Sequence, residues 1–207
     1  MNFFKNFFKT NTSRTLFNLS DREIKDLLCG FGKSEIKNNE IFITDYPFQP
    51  SVAYPEIKIL AKDIQYISTD FGICRIYIQN DIVFVTSVQK GEILAFAKEH
   101  KIQLIKHSFN WDWILEPYLD TEFTPENEKL VSERLLEVGI DALETEEIRL
   151  EVGRQMIKYN FETMLWDWCS LGLYDVLCAM RAKYSPKEFE KFYKRAIEID
   201  KRVKITR

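Results

Sequence analysis

The stretch ICRIYIQNDIVFVTSV, residues 73–88, is the part of the sequence that decides the fold class. Its first arm alternates apolar with polar-ended side chains, its second arm is apolar from Ile82 to Val85, and the two arms flank the dipeptide Asn80-Asp81. Two such arms around a two-residue turn predict an antiparallel β-hairpin. Because successive side chains of a strand point to opposite faces, the hairpin should have one buried and one solvent-exposed face. The two expected sets are Cys74, Ile76 and Ile78 on the buried face, and Arg75, Tyr77 and Gln79 on the exposed face.

The sequence around this hairpin extends it into a small module. Alternating isoleucines between residues 40 and 66 predict further strands, so that antiparallel strands occupy about residues 40–88. Glu92–His100 has apolar side chains at helical spacing and predicts a packing helix over about residues 90–100, with a short strand at Ile102–Ile105. Ser20 followed by Glu23 is a capping-box pattern and predicts a short helix nearer the N-terminus. Residues 1–108 are therefore predicted to form an α+β module.

Beyond residue 109 the sequence changes to helical patterns. Thr124-Pro125 supplies a cap and a first-turn proline, and Ser185 with Glu188 forms a second capping box. Gly153 inside a long apolar-periodic segment predicts the close approach of a neighbour. Residues 109–207 are predicted to be all-helical and bundle-like. Because no Gly/Ser/Pro-rich linker stands near Ser108, we expect both halves to share one core.

Charge is divided unevenly along a chain whose net charge is only −3. Residues 109–153 contain thirteen acidic and three basic side chains, which we call the acidic belt. Residues 181–207 contain ten basic and four acidic side chains, which we call the basic tail. Such a field selects partners by charge or pairs with itself. The acidic belt would repel a polyanion, so nucleic-acid binding by the tail is not expected.

The sequence has no recognisable enzymatic signature. It lacks GxSxG, GxGxxG and GxxxxGK[ST] motifs, and its four cysteines form no CxxC pair, so neither a cofactor nor a metal is expected. The cysteines stand in apolar contexts and are expected to be buried thiols in a reducing cytoplasm. One catalytic alternative is an acid–base site at His107, oriented by Asp112 or Glu116 near the junction of the two halves.

The composition therefore favours a non-enzymatic, soluble, cytoplasmic protein that binds a basic protein partner through its acidic belt. Bacterial immunity or antitoxin proteins are similar in type, being small, acidic-faced and rich in aromatic residues. The candidate carboxylates of the binding face are Asp112, Glu116, Asp120, Glu122, Glu126, Glu133 and Glu137. The candidate aromatic anchors are Trp111, Trp113 and Tyr118.

A second alternative is a membrane-surface adaptor. Residues 1–9 carry four phenylalanines and two lysines, which would make an apolar stripe flanked by positive charge if the segment were helical. No run of apolar residues is long enough for a transmembrane span. The sequence does not determine the oligomeric state.

Overall fold

The computed structural model describes residues 25, 27–119, 123–162 and 170–204, and within these it is an α+β fold. The strands are β1 (Lys33–Lys37), β2 (Glu40–Thr44), β3 (Ile57–Leu60), β4 (Ile64–Ser68), β5 (Cys74–Ile78), β6 (Asp81–Val85) and β7 (Gln103–Leu104). The helices are α1 (Lys90–Glu99), α2 (Asn110–Leu115), α3 (Pro125–Glu137), α4 (Ala142–Glu162), α5 (Leu173–Lys183) and α6 (Pro186–Asp200). The predicted fold class, with helices concentrated in the C-terminal half, is confirmed. The Phe-rich start and most of the helix predicted from Ser20 lie outside the described residues.

The strands form two sheets. β1, β2 and β3 make an antiparallel meander, and the second sheet has the order β6-β5-β4-β7. β7 runs parallel to β4, so α1 serves as the crossover between β6 and β7. Ile93, Phe96 and Ala97 of α1 are buried, as the apolar spacing of that helix predicts.

The hairpin forms, but its turn lies one residue earlier than predicted. Ile78 pairs with Asp81, so the connecting residues are Gln79 and Asn80, and Gln79 takes the positive φ that such a turn needs, at 47°. Asp81 belongs to β6 because its carboxylate is held inside the protein. It accepts hydrogen bonds from Ser51 Oγ at 2.7 Å and from the Tyr193 hydroxyl at 2.7 Å.

The hairpin is buried on both faces, which corrects the expectation of one solvent-exposed face. Every residue of β5 and β6 is buried. Arg75 and Tyr77, expected in solvent, are only 4% and 5% exposed, because the C-terminal end of α6 covers their face with Asp200. In a sheet that is covered on both sides, successive side chains still alternate between two faces, but both faces are buried.

The helical half follows its local capping signals. The Thr124 side chain accepts a hydrogen bond from the Asn127 backbone at 3.2 Å, and Ser185 N–H donates to the Glu188 carboxylate at 3.0 Å. Gly139, with φ of 78°, follows α3 as a C-terminal glycine does. Gly153 lies against Tyr118, the close neighbour that a glycine inside a helix predicts.

The buried apolar residues of strands and helices form one contiguous cluster. Phe48 lies at its centre, with ring centroids 6.1 Å from Phe84 of β6, 5.8 Å from Tyr174 of α5 and 6.3 Å from Phe189 of α6. None of the helices in the described ranges is long and apolar enough to cross a membrane.

Candidate functional site

A buried network of charged and polar side chains lies where the sheet meets the helical half. The Arg75 guanidinium on β5 donates to both carboxylate oxygens of Asp200, at 3.1 and 3.0 Å. Its other terminal nitrogen lies 3.4 Å from Nε2 of His107, and that same Nε2 lies 3.1 Å from Oδ2 of Asp112. All four side chains are less than a tenth exposed. The network joins a strand, a loop, a short helix and the end of α6.

Hydrogen bonds to the backbone hold His107 and the end of α6 at Asp200 in place. The His107 backbone N–H donates to the Asp70 carboxylate at 3.0 Å, which fixes the loop ahead of α2. Ser108 Oγ donates to the Asp200 carbonyl at 2.7 Å, and Asn110 Nδ2 donates to the Ile199 carbonyl at 2.8 Å. Carbonyl groups at the end of a helix have no partner within the helix, so these side chains act as its cap.

Burial governs the electrostatics of this network. Removal from water raises the pKa of Asp200 to about 6, against the opposing effect of the Arg75 charge. Burial also raises the pKa of Glu116, and the nearby Asp112 charge adds to that effect. Removing Arg75 alone would leave Asp200 as an uncompensated buried charge, so the pair fixes α6 onto β5.

His107 has the carboxylate partner that an acid–base site requires, but its ring is buried. Of the two predicted carboxylates, Asp112 is within hydrogen-bond distance of its ring. Nδ1 of His107 is buried and has no hydrogen-bond partner among the described residues. The rings of Phe71 and Phe109 cover the imidazole, with centroids 4.8 and 4.6 Å away. His107 lines neither the groove beside the β5–β6 turn nor the cavity beside Glu151 and Arg195, whereas a general base needs a substrate within reach.

Three residues of the predicted binding face lie inside the protein. Trp111 is fully buried, and its indole N–H donates to the Ala196 carbonyl at 2.9 Å. Tyr118 is 5% exposed, and its hydroxyl donates to the Arg149 carbonyl at 2.7 Å. Asp112 is held by His107. These residues join α2 and its neighbours to the rest of the helical half.

Those of the remaining predicted residues that the structure describes lie at or near the surface. Trp113 is partly exposed and stacks on Phe109 at 6.1 Å, and Glu116 is also partly exposed. Glu126 and Glu133 are exposed on α3. Asp120 and Glu122 lie outside the described residues.

The basic tail covers one edge of the acidic belt. Arg202 binds Glu144 through both terminal nitrogens, at 2.7 and 2.9 Å. Lys204 binds Glu137, a member of the predicted face, at 2.8 Å. Arg195 of α6 forms an ion pair with Glu151. The three carboxylates stand seven residues apart, so those on α4 share one side of the helix, and this side is where the tail neutralises the belt.

The outward face of α4 carries two exposed leucines that the sequence reasoning did not identify. Leu143 is 66% exposed and Leu150 is 57% exposed. Glu147 stands between them on the same side and is also exposed, as is the neighbouring Glu146. The signal in the sequence was the seven-residue spacing of the leucines, which places them on one face, away from the buried Ile148 and Val152. We call Leu143, Glu146, Glu147 and Leu150 the α4 patch.

A groove of about 650 Å³ lies between the β5–β6 turn and the C-terminal half of α6. Its lining includes Val52, Gln79, Asp81, Tyr193 and Lys201. The Asp81 carboxylate accepts four hydrogen bonds from the protein itself, so its oxygens are already satisfied. A smaller cavity of about 360 Å³ lies beside Glu151 and Arg195. In the described part of the chain, no group of three or more His, Cys, Asp or Glu side chains is arranged to hold a metal ion.

In comparisons with known proteins, no protein-family model, curated protein or solved structure matches this chain.

Proposed function

We propose that this protein is a binding module that holds a basic protein partner against the outward faces of α3 and α4. The observation that carries the proposal is the α4 patch, where Leu143 and Leu150 are more than half exposed among carboxylates. Single exposed leucines are common on protein surfaces. Two leucines at a seven-residue spacing, with Glu147 between them, instead give a partner two apolar contacts about two helical turns apart on one face of the helix.

The charges on and near the α4 patch favour a basic partner. Glu146 and Glu147 of α4 and Glu126 and Glu133 of α3 are all exposed. The basic tail neutralises Glu137, Glu144 and Glu151, whereas it forms no described ion pair with these four. A negative surface accelerates encounter with a positively charged protein and discourages acidic ones.

More specifically, we propose that the protein is an inhibitor of the immunity or antitoxin type. Its partner would be a basic enzyme, such as a nuclease, whose active site is built to hold nucleic acid. Carboxylates on a helical surface can occupy positions that phosphates take in such a site, and the leucines would add apolar contacts at the edge.

The test compares capture by the wild-type protein with capture by surface variants from one lysate of the source cells, eluted with a salt gradient. The wild-type protein should retain a stoichiometric basic protein that is released at high salt. Leu143→Gln/Leu150→Gln should weaken capture at every salt concentration, because apolar burial is lost. Glu146→Lys/Glu147→Lys should abolish capture, because charge attraction becomes repulsion. The difference from the wild-type protein should be largest at low salt, where charges are screened least.

Val88→Gln is the matched control, since Val88 is 88% exposed but lies between β6 and α1. It should capture the partner as the wild-type protein does. All of these substitutions are at exposed positions, so each should change the free energy of unfolding by no more than about 0.5 kcal/mol. Equal capture by every variant, or capture of an acidic protein, would contradict the proposal.

A further inference from the structure

Cys29 and Cys178 are 149 residues apart in the sequence, and their sulfur atoms lie 3.3 Å apart. Cys178 lies in α5 and is fully buried, whereas Cys29 lies in the irregular segment ahead of β1 and is partly exposed. The segment is held on α5 next to Cys29. The Tyr174 hydroxyl donates to the Gly30 carbonyl at 2.8 Å, and the Tyr174 ring stacks on Phe31 with centroids 4.5 Å apart.

We propose that Cys29 and Cys178 form a reversible disulfide, which makes this pair an oxidation site that ties the N-terminal segment to α5. A disulfide bond is about 2.05 Å long, so the two sulfurs have to approach by only about 1.3 Å. Cys29 stands outside any strand ladder, and a Cβ placed on the adjacent Gly30 would meet nothing within 4 Å. There is space for the small backbone shift that the bond requires.

The two thiols differ in the way that a reactive pair should. A hydrogen bond from Cys178 lowers the pKa of Cys29, and the positive charge of Arg181 acts in the same direction against the effect of burial. Burial raises the pKa of Cys178 well above its usual value. The partly exposed thiol with the lower pKa is the one that oxidants reach first, and the buried thiol is placed to attack it afterwards.

A peroxide is the oxidant class that this arrangement fits. The Cys29 thiolate attacks one oxygen of hydrogen peroxide, the O–O bond breaks, and the departing hydroxide takes a proton to become water. Cys29 is then a sulfenic acid. The sulfur of Cys178, after giving up its proton, attacks the sulfur of Cys29, and the S–O bond breaks as the S–S bond forms. The second hydroxide leaves with that proton as water. Two thiols and one peroxide thus give one disulfide and two waters.

Cys74 differs from this pair. Cys74 is buried in β5, and burial raises the pKa of its thiol, which makes it an inert core residue. Cys169 lies outside the described residues. A test must therefore separate Cys169 from Cys178, because trypsin cleaves at Lys158 and Arg181 and leaves both cysteines in one peptide.

The experiment treats the reduced full-length protein with a small excess of hydrogen peroxide and maps peptides without reduction. The wild-type protein should lose two hydrogen atoms and give a peptide that joins Cys29 to the segment containing Cys178. The Cys169→Ala variant should give the same link, which assigns the bond to Cys178. The oxidised protein should melt about 5–10 °C higher than the reduced protein, because the crosslink closes a long loop in the unfolded chain, and dithiothreitol should reverse the shift.

The Cys29→Ser variant should show neither the link nor the shift, whereas the Cys74→Ala variant, the matched control, should show both. The mapping is done on the wild-type chain, so its result does not depend on how a variant folds. Oxidation of Cys29 to a sulfonic acid with Cys178 still a free thiol would overturn the proposal. A disulfide to Cys169, or two thiols that stay reduced, would overturn it as well.

Discussion

Gly153 lies inside α4 against the ring of Tyr118, and a Cβ at this position would stand 2.6 Å from the phenol oxygen. Tyr118 is buried and its hydroxyl is bonded to the Arg149 carbonyl, so the ring has little freedom to move aside. Gly153→Ala should therefore lower the free energy of unfolding by about 1–3 kcal/mol. This loss should appear even though alanine favours a helix by about 1 kcal/mol over glycine.

Gly91 provides the control, because a Cβ there meets nothing within 4 Å in the first turn of α1. Gly91→Ala should raise the free energy of unfolding by about 0.4–1 kcal/mol by restricting the unfolded chain. Urea denaturation of both variants measures the two effects. A gain in stability for Gly153→Ala would mean that the Tyr118 ring can move away from the new Cβ without a loss of stability.

Asp175 makes the stability depend on pH. Its carboxylate accepts hydrogen bonds from the Gly172 backbone at 2.8 Å and from the Tyr159 hydroxyl at 3.0 Å, and burial raises its pKa from 3.8 to about 6. The folded-state pKa is above the unfolded value, so the folded protein holds this proton more strongly. The resulting stabilisation is complete below about pH 4 and is lost as the pH rises through about 6.

Asp175→Asn keeps an acceptor oxygen but does not titrate. The variant should gain stability relative to the wild-type protein by roughly 2 kcal/mol between pH 4.5 and pH 7. Urea denaturation at the two pH values measures this difference. Because Asp200 titrates in both proteins, its effect cancels in the comparison. Parallel pH profiles for the two proteins would show that Asp175 is already ionised at pH 4.5.

At the scale of elements, Asp81 joins β6 to the loop at Ser51 and to α6. Tyr193→Phe removes the buried hydrogen bond from α6 to this carboxylate and should cost about 1.5–3 kcal/mol of unfolding free energy. Tyr184→Phe is the matched control, since its hydroxyl donates to Glu151 at the same 2.7 Å in a partly exposed site. Water can replace that bond, so the control should lose less than about 1 kcal/mol. Equal losses in thermal or urea unfolding would contradict the anchoring role of Asp81.

The elements themselves were predictable where their signals are local. Thr124-Pro125 and Ser185 with Glu188 mark the starts of α3 and α6 because a cap is made within one helical turn. The position of the β5–β6 turn was not predictable, because Asp81 is drawn into β6 by Tyr193, which is 112 residues away in the sequence. Arg75 was predicted in solvent for the same reason, since its partner Asp200 is 125 residues away.

In the candidate site, too, the contact between residues close in sequence was predictable and the contacts between distant residues were not. The contact between His107 and Asp112 was predictable, because their positions differ by only five in the sequence, at the start of α2. The burial of Trp111 was not, because it depends on the Ala196 carbonyl of α6. Leu143 and Leu150 were missed because an apolar residue inside a helical pattern indicates the core, and only packing shows which face of α4 is left uncovered.

At the scale of the whole molecule, the sheet and the helical half share one apolar cluster, which predicts a single cooperative unfolding transition. The chain offers a direct test, because all four tryptophans lie in residues 109–207 and report on the helical half alone. Ile76 lies in β5 and is fully buried. Ile76→Ala should lower the stability by about 2–5 kcal/mol.

If both halves unfold as one unit, this sheet substitution should lower the midpoint measured by tryptophan fluorescence as much as the midpoint measured by far-UV circular dichroism. Leu177→Ala, which removes a fully buried side chain of α5, is the matched substitution in the helical half and should shift both midpoints in the same way. Two separate domains would behave differently. Ile76→Ala would then leave the fluorescence midpoint where it is in the wild-type protein, because the tryptophans would unfold with a helical half that the sheet does not support.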